Sequence, residues 1–147
     1  MTHSILEELP SLEDVEPATH SEVLVANSPL DQVRIRAAVD AVFNAHPALG
    51  AVFQLSCNTW TSCLGGAWTW GVEPPGVTAA DVIARQRDSF DMHTGRLFGA
   101  SLLPGSPDRV VLTASHLCMD GPSWQAVVED LVAEYDGDVL EPESQHG

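Results

Sequence analysis

The chain has 147 residues, of which 21 are acidic against six arginines and no lysine, giving a formal net charge of −15. That balance argues against nucleic acid and anionic membrane as partners, because both call for cationic surface to offset phosphate. With 44% apolar residues the composition suits one soluble globular domain, long enough to bury a core.

Residues 1–17 hold many carboxylates and two prolines, and read as a flexible acidic arm. They lack the basic start and apolar centre of a secretory leader. No apolar run approaches the ~20 residues of a membrane span, so the cytoplasm is the expected compartment. Weak alternation, with Val23 and Val25 on one side, predicts a strand over 19–26. Ser28-Pro29-Leu30-Asp31 then predicts a helix start. Ser28 is the expected N-cap, Pro29 stands in the first turn, and Asp31 at the third position meets the helix dipole. Ile35, Ala38, Val39 and Val42 form its apolar face, and Pro47 ends it, since proline disfavours helical geometry in the residue before it. His46 falls at the helix end, where a cap or charge partner is the simpler reading.

Residues 48–56 read as a strand with Leu49, Ala51, Phe53 and Leu55 on one face. Over residues 59–72, Trp60, Trp68 and Trp70 flank Leu64-Gly65-Gly66, which predicts a hairpin turning at Gly65-Gly66. Such a tryptophan cluster suits cross-strand packing better than a stacking surface for an aromatic ligand. If exposed, that edge is a candidate protein contact. After Pro74-Pro75-Gly76, Thr78 and Asp81 make a capping-box start for a helix to about Ser89, with Val82 and Ile83 inward. His93 lies in the loop over 91–95 and reads as a solvated loop residue. Strands over 96–103 and 109–115, joined through Pro104-Gly105-Ser106-Pro107-Asp108, predict an antiparallel hairpin. The cysteines, Cys57, Cys63 and Cys118, are odd in number with no CxxC pair, so neither a disulfide framework nor a structural zinc site is indicated. A Cys57–Cys63 bridge across a hairpin is geometrically conceivable but disfavoured in a reducing compartment.

The last of these strands runs into Ser115-His116-Leu117-Cys118-Met119-Asp120-Gly121-Pro122-Ser123-Trp124. Val110, Leu112, Ala114 and His116 share one strand face, and Val111, Thr113 and Ser115 the other, so His116 projects opposite to Ser115. Trp124, Val127, Val128, Leu131, Val132 and Tyr135 recur at helical spacing and form the core stripe of a helix over 124–135. Pro122 suits its first turn, and Gly137 is placed for a left-handed C-cap. Residues 138–147 read as a disordered acidic tail. A histidine closing a buried strand, followed by Asp-Gly and a helix start, is a way to hold an imidazole in a cleft, and histidine is the usual general base near neutral pH. The plainer alternative is a packed turn residue. Cys118 reads as a small buried hydrophobe rather than a nucleophile. Metal binding through His93, His116, Cys118 and Asp120 matches no standard ligand spacing.

The spacing His116…Asp120-Gly121 resembles the HHxxxDG signature of the condensation domains of nonribosomal peptide synthetases, which share a fold with chloramphenicol-acetyltransferase-like acyltransferases. Ser115 stands in place of the first histidine. Ser89-Phe90-Asp91 with Gly95-Arg96-Leu97 resembles the upstream "fDl…gPLlR" segment of that family. Asn44-Ala45-His46-Pro47-Ala48-Leu49 followed by Val52-Phe53 resembles its "rHpaLrt.F" segment, with Gly50 where an arginine is usual. The segments occur in the family's order, and the resemblance covers about residues 18–137, corresponding to the N-terminal half of such a domain. The family's opening tunnel segment has no match in Ile5-Leu6-Glu7-Glu8-Leu9-Pro10-Ser11.

The resemblance implies an α/β (α+β) two-layer sandwich, a mixed or antiparallel sheet with helices on one face. It implies acyl or aminoacyl transfer from a thioester to an amine or hydroxyl, in nonribosomal peptide or polyketide biosynthesis. The thioester would be carried on phosphopantetheine or coenzyme A, with no tightly bound cofactor and no metal. His116 would be the general base, or would position the nucleophile. Asp120 would orient the motif through an ion pair with an arginine from the other half. Gly121 would permit a close turn and place an N–H near the reacting carbonyl. His46 would be a structural hallmark. Half a cleft does not position two substrates, and positioning is worth ~7–11 kcal/mol of barrier. Completion is therefore expected from a homo-oligomer or from a separate chain supplying the C-terminal half. A carrier protein is a further candidate partner, although Arg34, Arg36, Arg85, Arg87, Arg96 and Arg109 are the only cations to dock one. The alternative is a catalytically inactive half-domain that binds or scaffolds a synthetase or acyltransferase. It is favoured by Ser115, Gly50, the unmatched opening segment and the acidic surface.

Overall fold

The apolar alternation of residues 109–115 makes both faces of that strand available for burial, and the rest of the chain packs around it. The computed structural model describes residues 19–56, 59–64, 66–91, 93–116 and 118–143, with backbone alone over 53–56 and 59–64. Its elements run β1 (Thr19–Ala26), α1 (Gln32–Ala45), a 3-10 turn (Pro47–Gly50), β2 (Ala51–Ser56), β3 (Thr59–Leu64), β4 (Thr69–Val72), α2 (Ala79–Asp88), β5 (Phe98–Leu103), β6 (Arg109–Ser115), α3 (Gly121–Tyr135) and β7 (Leu140–Pro142). Five strands form a mixed sheet in the order β4-β5-β6-β1-β7, with only the β4–β5 pair parallel, and β2–β3 form a separate hairpin.

The alternation of the central strands sorts the core into two clusters. Val110, Leu112 and Ala114 of β6, with Leu24 of β1 and Phe98 of β5, pack with Ile35, Val39 and Val42 of α1 and Val127, Val128 and Leu131 of α3. Val111 and Leu103, on the opposite parity, pack with Val82 of α2. The mixed-sheet α/β sandwich is as the sequence implies, but its helical layer is not one-sided. Helices α1 and α3 cover one face, and α2 covers the other. The reason lies in β6 itself: a strand apolar at both parities needs cover on both sides.

The expected helices form, with shifted caps. In α2, Thr78 and Asp81 make the reciprocal capping box. Helix α1 is capped by Asp31 rather than Ser28, its Oδ1 accepting from the Val33 N–H at 2.9 Å and the Arg34 N–H at 3.2 Å. Tertiary contacts draw the preceding residues out of the helix. The Leu30 N–H donates to Asp108 Oδ2 at 2.9 Å, and the Asp31 N–H to the Tyr135 hydroxyl at 3.1 Å. Helix α3 starts at Gly121, earlier than its apolar stripe. It ends at Asp136, whose φ of −176° is extended, and Gly137 takes no left-handed cap.

Three strand expectations are corrected. Leu49 is buried from the 3-10 turn, not from a strand. β2 pairs with β3, Ser56 opposite Thr59, so the expected β3–β4 hairpin at Gly65-Gly66 does not form, and β4 joins the main sheet instead. Gly66 serves a close backbone crossing: a Cβ there would stand 2.3 Å from the Gly95 carbonyl oxygen, and its N–H donates to the Gly50 carbonyl at 2.8 Å. The third concerns the C-terminal segment. Leu140–Pro142 is no disordered tail but an edge strand, paired antiparallel with β1 and anchored by buried Leu140. The acidic arm, Gly65, Cys57, the side chains of Cys63 and Trp60, and residues 144–147 lie outside what is described.

Substituting Leu140→Ala is expected to lower the unfolding free energy by ~2–5 kcal/mol, the range for emptying a buried leucine site. Urea denaturation followed by tryptophan fluorescence measures it. A midpoint unmoved by the substitution would restore the tail reading.

Candidate functional site

The cleft forms where β6 runs out. Ser115, the last residue of the strand, is buried on the face opposite to His116, and its N–H donates to the Leu97 carbonyl at 2.9 Å. The chain then turns, with the Cys118 N–H donating to the Ser115 carbonyl at 3.2 Å. This turn leaves His116 exposed at the edge of the sheet and buries Cys118 and Met119. Asp120 stops the turn by capping α3: its Oδ1 accepts from the Ser123 N–H at 2.7 Å. His116, Met119, Asp120, Gly121 and Ser123, with His20, line a shallow cleft of about 510 Å³.

His20 was not visible as a site residue in the sequence. It lies on β1, where the ladder sets it opposite Ala114, on the strand face that His116 continues. Its ring centroid is 4.1 Å from that of His116 and 5.7 Å from that of Trp124, nearly parallel to the indole at 13°. Its Nε2 lies 3.1 Å from the Met119 carbonyl, and because a carbonyl only accepts, Nε2 carries the proton. Parity with Leu24 was the one available signal. The register that brings His20 to His116 links residues about a hundred positions apart and has no local signature.

The electrostatics favour a neutral imidazole at His116. Burial of part of the ring lowers its pKa from 6.5, and positive charge on His20 lowers it further. Asp120 is shifted down by the hydrogen bonds from Ser123, with a smaller pull from His20. Cys118 behaves as a buried apolar residue: desolvation pushes its thiol up to about 12, and its Sγ donates to the Ser115 carbonyl at 3.3 Å. The thiolate, the reactive form, is thus disfavoured.

The other sequence candidates lie apart from this cleft. His46 ends α1 and donates from Nε2 to Asp130 Oδ2 of α3 at 2.5 Å, a helix-to-helix tie. His93 is exposed in its loop, with its N–H on Asp91 Oδ1 at 2.8 Å. Gly121 heads α3 without a positive φ, and a Cβ there would meet nothing within 4 Å, so the expected close turn is not what requires glycine. Among the described residues no three His, Cys, Asp or Glu side chains converge as a metal site. No described helix is long and apolar enough to cross a membrane. A second groove, of about 670 Å³, lies between α1 and β4. Trp68 there packs edge-on to Trp70 and donates from Nε1 to Asp40 Oδ1 at 3.0 Å.

No family model matches the chain. It is 28% identical over 113 residues to the FR901469 synthetase of a Dothideomycetidae species, an overlap of 71% of this chain and 1% of that protein. It is 29% identical over 128 residues to a linear gramicidin synthase of Brevibacillus parabrevis, covering 79% of this chain and 2% of that one. Among solved structures, a variant starter condensation domain of rhizomide synthetase in complex with C8-CoA superposes with a TM-score of 0.71 at 15% identity, over 92% of this chain and 34% of that one. The epimerization domain from the third module of a tyrocidine synthetase gives 0.67 at 19% identity, over 82% and 30%. The chain therefore has the fold of part of a condensation domain, of the chloramphenicol-acetyltransferase-like type. It spans about a third of those solved chains and a few per cent of the synthetases.

The lowered pKa of His116 has a consequence for stability. The folded protein releases its proton at a pH where the unfolded chain, near 6.5, still holds one. Stability is then fully present above that value and lost as pH falls toward the folded pKa. Relative to His116→Gln, the unmodified protein is expected to lose melting temperature between about pH 7 and pH 5. Parallel thermal scans test this, and curves that stay parallel across the range would contradict it.

Proposed function

We propose that this chain contributes the histidine-bearing part of an acyl-transfer site, passing an acyl or aminoacyl group from a thioester to an amine or hydroxyl. The observation that carries this reading is His116: an exposed imidazole, biased to its neutral form, at the mouth of a cleft headed by the N-terminus of α3. In the proposed step His116 accepts the proton of the attacking N–H or O–H while that nitrogen or oxygen bonds to the thioester carbonyl carbon. The tetrahedral intermediate then collapses, the C–S bond breaks, and the proton passes from His116 to the departing thiolate sulfur. The Gly121 N–H, at the positive end of α3, is the group available to the developing oxyanion. The acyl donor is a thioester of phosphopantetheine or coenzyme A, and its setting is cytoplasmic biosynthesis of a nonribosomal peptide or polyketide.

This cleft is shallow and open on one side, so the reading includes a second contributor. That contributor is another copy of this chain or a separate chain bearing the complementary part of the fold, with a carrier protein as a further candidate.

A second reading is favoured by how Asp120 and Gly121 are used. Asp120 is engaged as a helix cap, and Gly121 has open space beside it. Both therefore have a place in a folded domain that performs no chemistry. On this reading the chain is a binding or scaffolding partner of a synthetase or acyltransferase.

Native mass by light scattering over a dilution series is expected to show self-association, or recruitment of a partner chain. Thioester-dependent acyl transfer by that assembly, from an acyl-coenzyme A to an amine acceptor, should fall ~100- to 10,000-fold in His116→Ala. Retained transfer in a folded His116→Ala protein would overturn the enzymatic reading and leave the scaffold.

A further inference from the structure

The imidazole of His20 reaches the cleft from a strand that the signature motif does not include. Three contacts hold it: the 4.1 Å ring contact with His116, the stacking on Trp124 of α3, and the hydrogen bond to the Met119 carbonyl. Together they tie β1, the end of β6, the 115–120 turn and the first turn of α3 to one ring. Ser115, the replaced first histidine of the signature, has its side chain buried on the other sheet face. The second imidazole of this cleft has therefore entered by a different route.

We propose that His20 is a positioning residue for His116, fixing the orientation and surroundings of its ring in the cleft. This inference rests on the acyl-transfer reading for its functional meaning, though not for its physical content. The mechanism is steric and electrostatic together. Wedged between Trp124 and His116, the His20 ring removes rotamers otherwise open to an exposed histidine. With Nε2–H committed to Met119, a second proton on His20 sits on Nδ1 and places a full positive charge one ring contact from His116. Two adjacent cations in one cleft repel, so charge on His20 disfavours the protonated state of His116. The other titratable groups facing this pair are Asp120 at the cap, the buried thiol of Cys118, and Glu22, two residues along the same face of β1.

Two variants of the chain test this. His20→Gln keeps an amide N–H to reach the Met119 carbonyl but removes the ring and its charge. His20→Phe keeps a ring against Trp124 and His116 but removes the charge and the hydrogen bond. The first readout is the pH titration of His116 by imidazole nitrogen NMR, with His116→Gln used to assign its signals. Both variants should move the His116 titration upward toward the ordinary value of 6.5. A purely structural His20 would change the melting temperature while leaving that curve in place, and an unmoved His116 curve in both variants overturns the proposal.

The second readout is acyl transfer by the assembled protein. Its acid limb should move to higher pH in both variants. In His20→Gln, kcat should fall by roughly 10- to 100-fold with KM little changed, as for a misoriented base. Transfer that does not respond to His116→Ala refutes the acyl-transfer reading, whereas the NMR titration decides the coupling of the two rings on its own.

Discussion

The antiparallel ladder between β1 and β6 is the constraint on which the rest of this structure depends. It pairs Thr19 with Ser115 and Val25 with Arg109, at the centre of the five-stranded sheet. Because side chains alternate strictly along both strands, this single register decides which face each residue joins. It sends Leu24, Val110, Leu112 and Ala114 toward α1 and α3, and Val23 and Val111 toward α2. It also brings His20 and His116 to the same corner. A one-residue slip would carry His20 to the far face, turn Leu24 away from α1 and α3, and separate the two imidazoles while leaving the sequence of residues 115–121 intact. Core and cleft are specified by the same hydrogen-bonded ladder.

The distribution of charge gives the cleft its character. The described arginines are largely engaged elsewhere. Arg34 lies over the Tyr135 ring with its carbon 4.5 Å from the centroid, Arg85 pairs with buried Glu73, and Arg109 lies 3.9 Å from Glu143. Arg36 faces the tryptophan groove on α1. Among the described residues no arginine lines the His20–His116 cleft. Under the proposed function, cationic groups for carrier recognition would come from a partner. Asp120 is exposed at the rim, and its cap bond to Ser123 leaves the carboxylate further acceptor capacity.

What could be read in the sequence follows from how local each feature is. The capping box of Thr78 and Asp81, the stripe from Trp124 to Tyr135, the β5–β6 hairpin, and the emergence of His116 from β6 opposite to Ser115 depend on neighbours within a few residues. All were legible. The Asp31 cap was missed because Asp108 and Tyr135, distant in sequence, hold the residues before it. The hairpin was misplaced because Gly65-Gly66 carries the composition of a turn, while Gly66 owes its glycine to the backbone of Gly95. Leu140–Pro142 looked like tail because three residues carry no periodic signal, and only the open edge of β1 makes a strand of them. His20 belongs with these non-local features: nothing around it in sequence marks it, and its partner is supplied by the ladder.

The openness of the cleft bears on how such a site works. In water a charge pair 4 Å apart interacts by only ~1 kcal/mol, and several-fold more once solvent is excluded. The effect of His20 charge on His116, and of the α3 N-terminus on the oxyanion of the proposed reaction, is therefore modest in the open cleft and would grow under a covering partner. Desolvation already heads the causes that lower the His116 pKa. Further burial acts in the same direction, disfavouring the imidazolium. Under the proposed function, a partner covering the site would both supply a wall to position substrates and add to the electrostatic bias at His116. Under the proposed function, the fold of this chain orients His116 as the base, and burial by a partner would tune it further.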